Sequence, residues 1–117
     1  MHYKASKAWH FSHQLALQLR EVLSEVDTSD DVAVQMAARL KRASTKAPNV
    51  LAGSVEKQLE REKLKCYRAA KAALEDVHWH LRLALRLQYI DKELFGELEK
   101  LLVTAHRELS GLAIPNE

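Results

Sequence analysis

The stretch from Val55 to Leu87 contains neither glycine nor proline. A segment of that length without a helix breaker favours one helix of about 50 Å, at ~1.5 Å per residue. The whole chain of 117 residues has three glycines and two prolines. That is too few for a β-sandwich or barrel, which needs a turn signal every ~8–12 residues. We therefore expect an all-α protein with a single domain over residues 1–117.

The composition narrows the class of protein further. Hydrophobic residues make up 47% of the chain and charged residues 29%, which suits one buried core and argues against disorder. The single cysteine, Cys66, cannot form an internal disulfide. The first residues lack the apolar region of a signal peptide, and no apolar run approaches the ~18 residues of a membrane span. These features predict a cytoplasmic protein that does not insert into membranes.

Apolar residues recur at helical spacing in four segments. The stripes are Trp9, Ala16, Leu19, Leu23 and Val26; Met36, Leu40, Ala43, Ala47 and Val50; Leu59, Cys66, Ala70, Ala73, Val77, Leu81 and Ala84; and Leu94, Leu98, Leu101, Leu102, Ala105 and Leu109. Short connections between long amphipathic helices favour antiparallel neighbours. The predicted architecture is an antiparallel up-and-down four-helix bundle.

Local signals predict where these helices begin and end. Thr28, with Asp31 three residues later, resembles a capping box for the second helix. Pro48 predicts a kink or break near residues 46–47, because proline cannot donate the helical hydrogen bond. The other expected signals are Gly53 with Ser54 as a stop and a new N-cap, Asp91 as the cap of the fourth helix, and Gly111 with Pro115 as its end.

Charge is distributed unevenly along the chain. The formal net charge is +2, but residues 31–90 carry a net +6 and the two ends together carry −4. On the third predicted helix, cations interrupted by one acid, Glu75, lie opposite the apolar stripe: Lys57, Arg61, Lys65, Arg68, Lys71, Arg82 and Arg86. The second helix adds Arg39, Lys41, Arg42 and Lys46. Such a surface can follow a phosphate backbone. The alternative is that these cations only form the solvated face that any amphipathic helix needs.

Trp79 falls on the same basic face, three residues before Arg82. An indole there can stack on a base or an arginine, or it can be buried between subunits, where tryptophan is enriched. The subunit interface is the favoured interpretation. Small residues at Ala69, Ala70, Ala72 and Ala73 permit close helix approach. We therefore predict a homo-oligomer with Trp79 in its interface.

Enzyme chemistry finds little support in the sequence. Di-metal bundles need a Glu-x-x-His on each of two helices, and that motif is absent. His10 and His13 share a helical face, whereas His78 and His80 are two apart and point to different faces. Cys66 lies on an apolar stripe, where a thiol is usually inert. No phosphate-binding loop or nucleophile motif occurs. We expect no catalytic residues, no metal site and no cofactor.

The chain resembles the bacterial four-helix-bundle family encoded by intervening sequences in 23S ribosomal RNA genes. The family opens with Trp, then His four residues later and Leu-x-Leu, matched by Trp9, His13 and Leu15-Ala16-Leu17. Its third helix ends Leu-x-Leu-Ala-x-x-Leu-Gly-Tyr-Ile, matched by residues 81–90 with Gln88 in place of the glycine. Its second-helix pattern is matched by Leu40-Lys41-Arg42-Ala43 and residues 46–54, and its closing pattern by Leu109-Ser110-Gly111-Leu112.

A sister group in this superfamily is the accessory variability protein of diversity-generating retroelements. Its third-helix spacing is matched by Glu62-Lys63-Leu64, Leu74-Glu75 and Arg82-Leu83. The resemblance implies a non-enzymatic, ring-like homopentamer. For the retroelement group it also implies a basic surface that binds RNA or DNA and a reverse transcriptase. The alternative is a purely structural, self-assembling bundle whose charged faces serve subunit contacts.

Overall fold

Four α-helices account for most of the chain in the computed structural model, which describes residues 3–113, with side chains from residue 7 onward. They are α1 (Tyr3–Leu23), α2 (Asp31–Ser54), α3 (Glu60–Arg86) and α4 (Lys92–Leu112). The described residues contain no strand. The predicted all-α, four-helix fold is confirmed.

Each helix packs against two others: α2 contacts α1 and α3, and α4 contacts α1 and α3. The hydroxyl of Tyr89, in the α3–α4 connection, donates a 3.1 Å hydrogen bond to Asp30, in the α1–α2 connection. Both connections therefore lie at the same end of the bundle, as an up-and-down order requires. The molecule measures 50 × 22 × 18 Å and is therefore a rod, longer than any one of its helices.

The core runs along the centre of the rod and consists largely of leucine and alanine. Its fully buried large side chains include Leu15 and Leu19 of α1, Leu74 of α3 and Leu98 of α4. Leucine at helical spacing produces these contacts, since residues three and four apart share a face. Small alanines at the remaining core positions allow the helices to approach closely.

Two predictions for α1 need correction. Val26 was expected to continue the apolar stripe, but α1 ends at Leu23 and Val26 lies in the connection to α2. Trp9 was expected in the core, but its side chain is only half-buried. It packs against the edge of the core and stacks on His13, with ring centroids 4.6 Å apart.

The N-terminus of α2 is capped by Asp30, whose carboxylate accepts a 3.1 Å hydrogen bond from the amide of Ala33. The capping box predicted for Thr28 and Asp31 is therefore wrong, because Asp31 is already the first helical residue. Asp27 instead accepts hydrogen bonds from the amide and hydroxyl of Ser29. This local turn sets the chain direction into α2.

A kink or break near residues 46–47 was expected, but α2 continues without a break through Pro48 to Ser54. Proline removes one amide donor from the helical ladder. The hydroxyl of Thr45 donates to the carbonyls of Lys41 and Arg42 in the turn before the proline. Pro48 is itself buried, so the packing of this part of α2 against its neighbours outweighs one lost hydrogen bond.

The third helix is shorter than predicted. It begins at Glu60 rather than Val55, and its 27 residues correspond to about 40 Å. Its N-cap is Leu59, which makes no side-chain cap and is exposed rather than part of the apolar stripe. The expected cap, Ser54, is the last residue of α2, and its hydroxyl donates to the carbonyl of Leu51.

The C-terminus of α3 ends in a left-handed residue. Gln88 has φ 64°, its amide donates to the carbonyl of Leu85, and the amide of Tyr89 donates to the carbonyl of Ala84. This pair of bonds is the Schellman motif, whose left-handed position is usually glycine. The left-handed conformation at this position explains why the family pattern has glycine there.

The predicted cap of α4 is confirmed, since Asp91 accepts a 2.8 Å hydrogen bond from the amide of Leu94. Most of the predicted stripe of α4 is buried, while Leu94 and Leu101 are half-buried. Gly111 is still helical, and α4 ends one residue later. Pro115, the other expected stop signal, lies outside the described residues.

Candidate nucleic-acid interface

The basic residues of α2 are placed by its buried stripe. Leu40, Ala43 and Ala47 face the core, so residues roughly half a turn away face solvent. All four predicted cations of α2 are exposed: Arg39, Lys41, Arg42 and Lys46. Arg39, Arg42 and Lys46 follow one another at spacings of three and four and form a single row. Lys41 falls on the other flank of the helix, away from that row.

The basic residues of α3 are positioned in the same way. Ala70, Ala73 and Val77 are buried, which turns the opposite face outward. That outward face carries Arg61, Lys65, Arg68, Arg82 and Arg86, all exposed, while Lys71 at its edge is half-buried. Lys57 is exposed as well, but it lies in the α2–α3 connection. Its predicted place on the helical face is wrong, because helix α3 begins only at Glu60.

These cations have almost no intramolecular partners. Among the described residues, no carboxylate oxygen lies within 4.0 Å of the charged nitrogens of the α2 and α3 cations. One of them, Arg82, makes a side-chain hydrogen bond, at 3.3 Å to Nδ1 of His78. Because α2 packs directly against α3, the two sets lie on adjacent helices and concentrate positive charge there. We call the basic face the surface formed by Arg39, Arg42 and Lys46 of α2 and by Arg61, Lys65, Arg68, Lys71, Arg82 and Arg86 of α3.

Trp79 lies in the middle of the basic face, with 58% of its surface exposed. It is seven residues before Arg86, about two helical turns, and so lies on the same row. The indole contacts His80 edge-on at 5.1 Å. It also borders a shallow groove whose other residues are Arg82, Leu83, Leu85 and Arg86. The expected outward position is confirmed, whereas the subunit contact predicted for it stays a prediction.

Two histidine–carboxylate pairs join α3 to α4 and are not apparent from the sequence. Nε2 of His78 lies 2.8 Å from Glu99, and Nε2 of His106 lies 3.8 Å from Glu75. Glu75, the single acid that interrupts the basic row of α3, thus lies near His106 of α4. No local pattern identifies such pairs, since each joins residues distant in sequence. They lie where α3 contacts α4, at one edge of the basic face.

The other described histidines contact residues of their own helices. His80 is buried, and its Nδ1 lies 2.9 Å from the carbonyl of Asp76, one turn earlier. His78 and His80 therefore point in different directions, as predicted. His10 contacts Phe11 edge-on at 5.4 Å, and Cys66 is a half-buried free thiol. Within the described part of the chain, no three histidine, cysteine or acidic side chains are grouped to hold a metal ion.

Residues 4–111 match the family model described as 23S rRNA-intervening sequence protein. The chain belongs to this family. A crystal structure of a protein with unknown function from the S23 ribosomal protein family of Bacteroides thetaiotaomicron has the same fold. The two superpose with a TM-score of 0.85 at 14% identity, over 94% of this chain and 97% of that one.

Among curated proteins, no sequence matches the chain. The structural likeness, at this low identity, establishes the fold alone. None of the helices described combines the length and the apolar character that a bilayer-spanning helix requires.

Proposed function

We propose that this family member is a non-enzymatic, homo-oligomeric bundle that binds RNA or DNA through the basic face. The observation that supports it is the row of exposed cations without carboxylate partners on two adjacent helices. A cation that already pairs with a carboxylate gains little from a phosphate. An unpaired cation releases the counterions of the nucleic acid when it binds, which drives association.

The dimensions of the basic face suit a phosphate backbone. Arg61 and Arg86 are separated along α3 by about 38 Å. No base-reading module such as a zinc finger accompanies the cations, so phosphate contacts dominate and sequence preference is weak. Binding therefore weakens steeply as salt increases.

The test replaces Arg61, Lys65 and Arg68 together with glutamine. The matched control replaces Lys92, Lys100 and Arg107, which are equally exposed but lie on α4. Both triple variants lose three positive charges. We expect the α3 variant alone to bind nucleic acid more weakly and to lower the slope of log K against log salt by about 2–3. Fluorescence anisotropy with a labelled oligonucleotide measures both quantities.

Equal weakening in both triple variants would show that net charge, rather than the basic face, controls binding. No weakening in either would transfer support to the second candidate function. Circular dichroism and sedimentation velocity control for folding and assembly. All six positions are exposed, so neither measurement should change.

The second candidate function is self-assembly without a nucleic-acid ligand, and the exposure of Trp79 favours it. An indole exposed to this extent suits a subunit interface, where tryptophan contributes strongly to binding energy. Of the alanines expected to allow close approach, Ala70 and Ala73 are buried within the subunit. Ala72 is exposed and lies seven residues, about two helical turns, before Trp79. In this proposal, the basic surface of one subunit meets acidic surface of the next.

Sedimentation equilibrium separates the assembly states, with a homopentamer as the expected species. Trp79→Ala should dissociate the oligomer if the indole lies between subunits. His10→Ala, an exposed aromatic position on α1, is the control. A monomeric parent protein at micromolar concentration would refute the oligomer outright.

The resemblance to the retroelement group supports a further partner, a reverse transcriptase, which would bind the same basic face. Arg82 and Leu83, which match that branch, border the groove beside Trp79. Co-purification of the protein with the reverse transcriptase of a neighbouring gene tests this partner. Loss of co-purification in the Arg61, Lys65 and Arg68 variant would support the basic face as its binding surface.

A further inference from the structure

A second site lies at the end of the bundle where the α1–α2 and α3–α4 connections meet. A cavity of about 430 Å³ opens there between the ends of all four helices. It falls within the ~300–1,000 Å³ range typical of small-molecule pockets. The basic face plays no part in it, because none of the cations described above lines it.

The inner wall of this cavity is apolar. Met36 and Leu40 of α2, Ala84 of α3 and Leu94 of α4 line it, and the first three of these are buried core residues. An apolar group that enters the cavity removes its own apolar surface from water, which favours binding by ~25 cal/mol per Å² of apolar surface.

The rim of the cavity is acidic. Glu25, Asp27 and Asp30 are among the lining residues, and among the described residues no lysine, arginine or histidine lines the cavity. Hydrogen bonds from the side chain and then the backbone of Ser29 lower the pKa of Asp27, so this carboxylate stays charged at neutral pH. The rim therefore carries negative charge without an internal cation to neutralise it.

The shape of the rim is fixed by contacts across the two connections. Asp30 accepts hydrogen bonds from the amide of Ala33 and from the hydroxyl of Tyr89. Gln88, in its left-handed conformation, also lines the cavity and turns the chain so that Tyr89 reaches Asp30. Asp30 is thus held at the opening of the apolar cavity by contacts across the two connections, and Asp27 by hydrogen bonds from Ser29.

We propose that this cavity binds a small amphipathic cation, an apolar group that carries an ammonium. The apolar part contacts Met36 and Leu40, and the ammonium remains at the rim near Glu25 and Asp27. An anion of the same shape is repelled by the rim, and a neutral analogue gains only the apolar contact. Charge complementarity and an apolar wall in one cavity select this class of ligand.

Met36 provides a direct probe, because the chain has only one other methionine, Met1. Protein labelled with ¹³C at the methionine methyl groups is titrated with 4-phenylbutylamine, 4-phenylbutan-1-ol and 4-phenylbutyrate. We expect a saturable shift of the Met36 signal with the amine, with an affinity about 5-fold higher than for the alcohol. The butyrate should give no saturable shift.

The role of the rim is tested by Glu25→Gln combined with Asp27→Asn. This variant should lower the affinity for the amine to that for the alcohol. Glu21→Gln, an exposed glutamate of α1 that does not line the cavity, is the control and should preserve the preference for the amine. Folding of each variant is verified by the dispersion of its amide spectrum.

Three results would overturn the proposal. These are no shift at Met36 with any probe, equal affinity for amine and butyrate, or an unchanged preference for the amine in the rim variant. The nucleic-acid proposal is independent of each, since the cations of the basic face are unchanged in these variants.

Discussion

Gln88 occupies a position where glycine should be better, and the size of the gain follows from its geometry. At φ 64°, the Cβ of an L-residue is held close to its own backbone, which costs roughly 1–2 kcal/mol. Glycine avoids that cost but loses about 0.5–1 kcal/mol through the greater freedom of its unfolded chain. The Gln88→Gly substitution should therefore raise the free energy of unfolding by about 0.5–1 kcal/mol.

The same substitution at a right-handed helical position gives the opposite sign. Gln18 is exposed in the interior of α1, where glycine costs about 1 kcal/mol relative to good helix formers. Gln18→Gly is therefore the matched control, since it makes the same chemical change. Urea unfolding followed by circular dichroism measures both, with the midpoint rising for one variant and falling for the other.

Two results would refute this reasoning. If Gln88→Gly lowers the midpoint as much as Gln18→Gly, the left-handed conformation contributes no strain. If the urea dependence of the unfolding free energy changes as well, the substitution has altered the compactness of one state. Because Gln88 also lines the end cavity, the amine titration of this variant verifies that the rim is unchanged.

The remaining predictions concern the core, a buried hydroxyl and a tyrosine. Leu74→Ala should lower the unfolding free energy by about 2–5 kcal/mol, because its side chain is fully buried. Leu17 is 44% exposed, so Leu17→Ala should lower the unfolding free energy far less. The urea midpoints of the two variants make the comparison. Ser12→Ala should raise stability by roughly 1 kcal/mol, since its buried Oγ has no hydrogen-bond partner among the described residues; an equal loss would contradict this. Burial, and then the charge of Glu60, raises the pKa of Tyr67, so the folded protein favours the protonated phenol. The stability that this preference contributes is complete below the unfolded pKa of ~10 and is lost as pH rises through the folded pKa. Tyrosinate absorbance during an alkaline titration, with Tyr67→Phe as the control, measures it.

Features that depend on local chemistry were predictable from the sequence. The cap at Asp91 was predicted because an aspartate directly before a helical stripe can accept a hydrogen bond from an amide in the first turn of that helix. The buried rows of α3 and α4 followed from the spacing of leucine and alanine. The outward position of Arg61, Lys65 and Arg68 followed in turn, since burial of one helical face exposes the other.

Features that depend on tertiary packing were not predictable. Pro48 suggests a break by its own chemistry, but the helix continues because packing of this turn outweighs the lost hydrogen bond. The late start of α3 left no signal, since residues 55–59 contain neither glycine nor proline. The pair formed by His78 and Glu99 joins two helices, and no pattern within one helix reveals it.

For the site, the sequence identified which residues are basic but not which lie together. Lys57 lies in the α2–α3 connection, and Lys41 lies on the far flank of α2. Only the helix bounds and the buried stripe of α2 show that these two lie away from the other cations. The acidic cavity was missed entirely. Its residues come from two connections and four helices, and each residue alone is unremarkable.

The hydrogen bond between Tyr89 and Asp30 has a consequence for the order of the chain itself. Because both connections lie at one end, the start of α1 and the end of α4 lie at the other, the same end as the α2–α3 connection. A circular permutant can therefore join residue 113 to residue 3 through a short linker and open the chain at residues 55–59. Such a rearranged polypeptide, with α3 first and α2 last, keeps every helix-to-helix contact and should fold to the same bundle. A folded permutant would show that the bundle depends on which helical faces pack together and not on the order of the helices along the chain.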